Sequence, residues 1–333
     1  MTATDHEDLS RAELLVEVGR WGEATDVLAR VLASRPGSVR ALCLLAYCQA
    51  GLGDDAAMLD TAQRAVAAGP TSEWAYRLLA AAWRRVGDNA QAVAAAREAV
   101  RIAPDTWETH VGLAAALLRA GDPPAALAAA QEARRLEPAE AQPHTAYAAA
   151  ADRLGRLDDA EAALRQALAV APDDPTAHNY LGLLHLRRGR LLRALRSFAT
   201  AGGRDPGWEA PSLNTGFALG SLGWQLCLAA GMLVGATSFV GLAGPQVQVV
   251  AGTVVLAAYA GVVAWVLRLL PPGLRTQAVH AAPRRVSTWV AGALVALSVA
   301  QVYLLTPAFW GMCLSALAIV GVSLHLGARY RPG

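Results

Sequence analysis

The sequence predicts an all-α protein in two parts, a helical solenoid of six repeats over residues 1–206 and a four-helix transmembrane domain over residues 217–333. Three observations predict it. Helix-interrupting residues recur with a constant step of 34: Pro36, Pro70, Pro104, Pro138, Pro172 and Pro206, and Gly19, Gly53, Gly87, Gly121, Gly155 and Gly189. Between them, apolar and small residues recur at helical spacing. After Glu209 the composition changes, and four long apolar runs follow.

Each repeat is expected to be helix, turn, helix, turn, and the six span about 5–38, 39–72, 73–106, 107–140, 141–174 and 175–208. In the third, Tyr76, Leu79, Ala80 and Trp83 precede Gly87, and Ala92, Ala96 and Ala99 precede Pro104. The glycine turns the chain without a Cβ penalty, and the proline, which lacks an N–H, stops the second helix. Self-similarity at a fixed period is the signature of stacked helical repeats.

Three further series carry a family resemblance. The eighth position holds Ala12, Ala46, Ala80, Ala114, Ala148 and Gly182; the twentieth Ala24, Met58, Ala92, Ala126, Ala160 and Ala194; and the twenty-seventh Val31, Ala65, Ala99, Ala133, Ala167 and Ala201. With these small residues where helices cross, residues 5–206 resemble the tetratricopeptide repeat family. Met58 departs from the pattern and suggests a wider second repeat; Asp8 and Arg11 suggest a frayed opening helix.

The resemblance implies a concave groove for a protein or peptide partner, lined by the second, fifth, ninth and twelfth positions. Carried over, these are Arg40, Cys43, Tyr47 and Ala50 in the second repeat and Trp74, Arg77, Ala81 and Arg84 in the third. Arg40, Tyr47, Trp74, Arg77 and Arg84 are the candidate pocket, suited to an acidic or C-terminal carboxylate because guanidinium pairs bidentately and aromatics give rigid contact area. The alternative is an ordinary solvated arginine face. Glu108, Val111 and Leu118, then Gln142, Thr145 and Asp152, then Thr176, Asn179 and Leu183 continue a less charged groove. The lysine and asparagine clamp of chaperone-binding family members is not supported, since the chain contains no lysine and Leu9 and Glu13 stand at the corresponding places.

The tail follows a different logic. All 27 acidic residues lie at or before Glu209, and the only charges after it are six arginines, so 23 arginines against 27 acids give the first part −4 and the tail carries +6. After a linker at 207–216, the apolar runs at about 217–243, 246–267, 286–305 and 307–327 are long enough to cross a bilayer, which takes about 20 residues. None has a charged residue in its interior. Gly244-Pro245 and Thr306-Pro307 make two hairpins, and Arg268, Arg275, Arg284, Arg285, Arg329 and Arg331 all fall on one side, which marks the cytoplasmic face. Trp224, Trp265, Trp289 and Tyr330 near the inner ends and Tyr303, Phe309 and Trp310 near the outer ones agree. The polar opening "MTATDHEDLSRAEL" does not read as a cleavable leader. The expectation is therefore a multi-pass protein of the cell inner membrane with its N-terminus, repeats and C-terminus cytoplasmic. A soluble hydrophobic core is the competing reading, but its outer helices would need polar faces that these runs lack.

Arg187, Arg188, Arg190, Arg193 and Arg196 lie close to the first span and read as contacts to anionic lipid headgroups, with Arg268, Arg275, Arg284 and Arg285 on the same surface, or as solvated charge. The linker is too short and too rich in Gly and Pro for a full capping helix, so Trp208 and the start of the first span, or the membrane surface, must cover the sixth repeat.

Chemistry is not indicated. There is no glycine-rich phosphate loop, no nucleophile elbow and no zinc helix, and the apolar runs hold no acidic residue for proton or cation relay. His110, His144 and His178, at the fourth position, and His185, at the eleventh, read as packing residues: helix spacing is too wide for a shared zinc ion. Cys43, Cys48, Cys227 and Cys313 read as small buried residues without disulfides. The net acidic repeats argue against nucleic acid. No cofactor, metal or small-molecule substrate is expected. The sequence thus points to a non-enzymatic membrane-tethered adaptor that recruits or organises other proteins. The alternative is a regulatory or accessory subunit of a membrane enzyme or transporter, whose spans bind the membrane partner.

Overall fold

The computed structural model describes residues 3–204 together with 210–211, 213–215 and 218. The described elements are α-helices: α1 (Ala3–Glu17), α2 (Trp21–Ser34), α3 (Val39–Leu52), α4 (Asp55–Ala68), α5 (Glu73–Val86), α6 (Asn89–Ile102), α7 (Trp107–Ala120), α8 (Pro123–Leu136), α9 (Ala141–Arg153), α10 (Leu157–Val170), α11 (Pro175–Arg187) and α12 (Leu191–Arg204). From α3 to α12, each odd helix begins at the first position of a repeat and each even one at the seventeenth.

The periodic glycines end the odd helices for a conformational reason. All six have positive φ, between 68° and 97°, a left-handed region that other residues enter at a cost. Around Gly53 the amide of Gly53 donates to Ala50 O at 3.2 Å and that of Asp54 to Gln49 O at 3.0 Å, closing the orphan carbonyls of α3. Asp54, Asp88 and Asp122 then start α4, α6 and α8 by accepting from the amides of Ala57, Gln91 and Ala125 at 3.0, 3.0 and 3.1 Å. Ser38 and Ser72 do the same for α3 and α5.

Two compact bodies, Met1–Tyr180 and Leu181–Gly333, divide the chain. In the first, each helix from α1 to α10 packs on the next, and the odd helices α1 to α9 also touch their odd neighbours. The shared faces are small: Ala92, Ala95, Ala96 and Ala99 of α6 and Ala126, Ala129, Ala130 and Ala133 of α8 are all buried. Met58 is buried in one cluster with Cys43, Ala46, Ala62 and Ala65. The opening helix departs from expectation. Leu9, Ala12 and Leu15 are buried in one cluster with Val27, Leu28 and Val31, so α1 is anchored by an apolar stripe while Arg11 stays exposed beside it.

In the second body the ring of Phe198 fills the space left by Gly182. Phe198 and Leu195 cluster with Ala218, and Pro211, Thr215 and Ala218 are buried at helical spacing, with Thr215 Oγ1 donating to Pro211 O at 2.7 Å. Ala218, at the start of the first apolar run, is thus part of what covers the sixth repeat. No helix among the described residues is long and apolar enough to cross a membrane. The four apolar runs, Ala218 apart, and Arg268, Arg275, Arg284 and Arg285 lie outside the described residues.

Candidate groove site

The ninth positions of the three middle repeats are Ala81, Ala115 and Ala149, all partly exposed, so α5, α7 and α9 present a floor without bulky side chains. The candidate pocket at its N-terminal end is more heterogeneous than its sequence pattern. Arg40 is tied to Glu13, with Nε 2.7 Å and Nη2 2.5 Å from the same Oε1. Arg77 lies over its own helix, with Nη1 3.7 Å from a carboxylate oxygen of Glu73. Trp74 is partly buried and packs on the clusters of the first and second repeats, so its ring is a wedge between them. Tyr47 is 47% exposed and meets Trp21 edge-on, centroids 5.7 Å apart, where Gly51 leaves room for the indole.

Arg84 differs from the other two arginines. It is partly buried, and no salt bridge joins it to a carboxylate among the described residues. Burial, then Arg119 and Arg85, hold its pKa below the usual guanidinium range, while Tyr180 acts in the opposite direction. The phenol of Tyr180 is in turn pushed up by burial and by Asp152. Arg119 and Tyr180 occupy the thirteenth position of the fourth repeat and the sixth of the sixth. Those positions were not among the carried-over groove residues. Helical spacing could have found them, since positions 2, 6, 9 and 13 form one stripe of an α-helix.

Further along, Thr145 and Asn179 are buried, and Thr145 Oγ1 is spent on Gln142 O at 2.8 Å. Arg187, Arg190, Arg193 and Arg196 are exposed and Arg188 is partly so. Between α8 and α10 is an open recess of about 610 Å³, where Arg134 stacks 4.4 Å over Tyr147 and donates to Gln166 at 2.9 Å.

The histidines have a repeated structural task. Nε2 of His110, His144 and His178 stands 2.7, 2.9 and 2.9 Å from the carbonyl oxygens of Pro104, Pro138 and Pro172. A carbonyl only accepts, so each Nε2 carries the proton and donates. His110, His144 and His185 are buried as expected; His178 is partly exposed, although its bond is the same. No cluster of three potential metal ligands exists among the described residues. Cys43 and Cys48 are fully buried, which pushes their thiols up to about 12 and about 11.

The tetratricopeptide repeat family model matches residues 9–73, 76–142 and 146–207. Among solved structures, the chain is similar to the Cut9–Hcn1 hetero-tetramer of the APC/C, at 16% identity over 86% of this chain and 55% of that one, with a TM-score of 0.54. A tetratricopeptide repeat protein from Parabacteroides merdae is 13% identical over 65% of this chain and 85% of its own, with a TM-score of 0.50. A thermophilic TPR protein in Thermus thermophilus is 26% identical over 65% of this chain and 98% of its own, with a TM-score of 0.39. The first two likenesses concern the fold alone. Among curated proteins, none matches.

Proposed function

Because the chain belongs to the tetratricopeptide repeat family, whose helical repeats serve as protein-interaction scaffolds, we propose that it is a membrane-anchored adaptor that recruits or organises protein partners at the cytoplasmic face of the inner membrane. The observation that carries this reading is the groove itself. Its floor of Ala81, Ala115 and Ala149 leaves space for a partner's main chain, and Tyr47, Arg77 and Arg84 stand along it as contact groups. An alanine floor supplies shape, while aromatic and arginine side chains supply the energetically dominant contacts of an interface.

Anchoring rests on the sequence of the tail. Four runs of sufficient length without a charge, with every tail arginine on one side of the hairpins, support four spans and a cytoplasmic repeat domain. Exposed Arg187, Arg190 and Arg193, with Arg188 beside them, support contact of the last repeat with anionic headgroups, each basic residue adding about 1 kcal/mol.

The test is affinity purification of the full-length protein from its native membrane, beside an Ala115→Trp variant with an unchanged thermal transition. The adaptor reading expects partners that co-purify with the parent and are lost from the variant. Partners retained equally by the variant would instead favour an accessory subunit recognised through its spans.

A further inference from the structure

The joint between the fourth and fifth repeats departs from a pattern that the earlier joints share. There, the twenty-eighth position of one repeat and the seventh of the next pack against the same core cluster, Leu32 with Leu45 and Val66 with Leu79. Val100 and Leu113 continue the pairing in sequence. At the next joint the pair is Arg134 and Tyr147, with the guanidinium 4.4 Å over the ring. A cation where the repeat otherwise places apolar carbon costs desolvation, and the stack on Tyr147 offsets only part of it. Arg135 has an ordinary explanation, since it pairs with Glu132 three residues before it, as Arg101 does with Glu98 one repeat earlier. Arg134 makes no salt bridge among the described residues. Its Nη2 donates to the amide oxygen of Gln166 at 2.9 Å, and its Nε is buried without an acceptor.

These departures meet in the recess of about 610 Å³ between α8 and α10. Arg134 and Gln166 line it together with His144, which is only 6% exposed. Nε2 of His144 is committed to Pro138 O, so Nδ1 carries a lone pair, and that atom is buried without a donor. Pro138, Ala169 and Val170 add an apolar wall. The recess therefore combines one unpaired cation, one unpaired acceptor and a hydrocarbon surface, and buried polar groups left unmet in a cavity of ligand size point to a ligand. One positive charge requires a monoanion, because Glu132 already neutralises Arg135. The ends of α8 and α10 lie at the same place, and the negative ends of their dipoles disfavour a doubly charged ligand. The acceptor requires a neutral donor beside the anion, since an ammonium would face both arginines.

We propose that this recess binds a small α-hydroxy monocarboxylate, with the carboxylate on the guanidinium of Arg134, the hydroxyl donating to Nδ1 of His144, and the hydrocarbon chain against Pro138, Ala169 and Val170. The site opens between even helices, apart from the groove floor on α5, α7 and α9, and stands independently of the partner reading.

The experiment is calorimetric titration of the full-length protein in dodecyl maltoside micelles with α-hydroxyvalerate, valerate, α-hydroxyvaleramide and inorganic phosphate. The hydroxy acid is expected to bind about tenfold more tightly than its amide, which lacks the charge, and about threefold more tightly than valerate, which lacks the donor. Arg134→Leu restores the residue type of Leu32 and Leu168, so it is expected to keep the thermal transition while removing the preference for acid over amide. His144→Leu is expected to remove the preference for the hydroxyl, and Arg135→Leu to change affinity less than about twofold. No binding of the hydroxy acid, equal binding of its amide, or a preference that survives Arg134→Leu would overturn the site. A hydroxyl preference that survives His144→Leu would overturn the assigned pose, and tighter binding of inorganic phosphate would overturn the choice of an organic monoanion.

Discussion

The ring of Phe198 occupies the place where a side chain on residue 182 would be: a Cβ built on Gly182 would lie 2.6 Å from Cδ1 of that ring. The other repeats pair an eighth-position alanine with Leu28, Ala62, Ala96, Ala130 or Leu164 at the twenty-fourth position. The sixth repeat exchanges volume across the helix pair, the smallest residue on α11 against the largest on α12. Phe198 is fully buried, so it has nowhere to move. Gly182→Ala should therefore destabilise the protein by about 1–3 kcal/mol despite alanine's better helix propensity. Adding Phe198→Leu should recover part of that loss, a coupling visible in a double-mutant cycle of thermal unfolding. Additive losses would show that the two sites do not share this space.

The histidine ladder predicts a second stability effect. Replacing His144 by leucine, the residue found at the equivalent Leu42, removes the donor to Pro138 O while keeping an apolar side chain. Loss of one hydrogen bond to a partly buried carbonyl should cost about 1–3 kcal/mol. Thermal unfolding of His144→Leu against the parent measures it, and an unchanged midpoint would remove the structural role assigned to the ladder.

Helix capping gives a third. Asp88 accepts the Gln91 amide at 3.0 Å, so Asp88→Ala should cost about 1 kcal/mol and Asp88→Ser much less, read by the same melting experiment.

The buried thiols predict a pH dependence with a definite sign. In the folded chain Cys43 and Cys48 hold their protons up to about 12 and about 11, above the usual thiol range near 8.5. Between those limits the unfolded chain has lost protons that the folded chain retains, so stability present below about pH 8.5 declines as pH rises toward 11. Urea unfolding at pH 8 and pH 10 should show the decline, and a Cys43→Ala, Cys48→Ala variant should show less of it. Equal declines would locate the sensitivity elsewhere.

The topology of the tail has its own check. A reporter active only outside the cytoplasm should work when inserted at Gly244 and stay silent at Pro272. The reverse pattern would contradict the placement of the repeats on the cytoplasmic side.

These tests follow how unevenly the protein can be read from its sequence. The repeat frame was fully legible because Gly and Pro act through the backbone of their own residue: each Gly of the series has positive φ, and each odd helix stops before it. The anchoring of α1 was less so, since Asp8 and Arg11 drew attention from Leu9, Leu15 and Val16, which face the first cluster. Side-chain pairing was the least legible. Arg40 meets Glu13 from 27 residues away, because the second position of one repeat lies beside the ninth of the repeat before it. A list of groove positions within each repeat does not contain that relation. Arg119 and Tyr180 were missed for a related reason, their positions lying one residue from the nominal stripe. The closure of the sixth repeat depended on Ala218, whose alanine identity carries no signal of its own.

The central claim, that partners are bound in the groove, is tested most directly by site-specific photocrosslinking of the full-length protein in its native membrane. A benzophenone amino acid is placed at Ala115 on the groove floor and, separately, at Ala162 on an exposed face of α10. The account predicts a discrete protein adduct from position 115 and none from position 162. Adducts from position 162 alone, or from neither position while partners still co-purify, would contradict it.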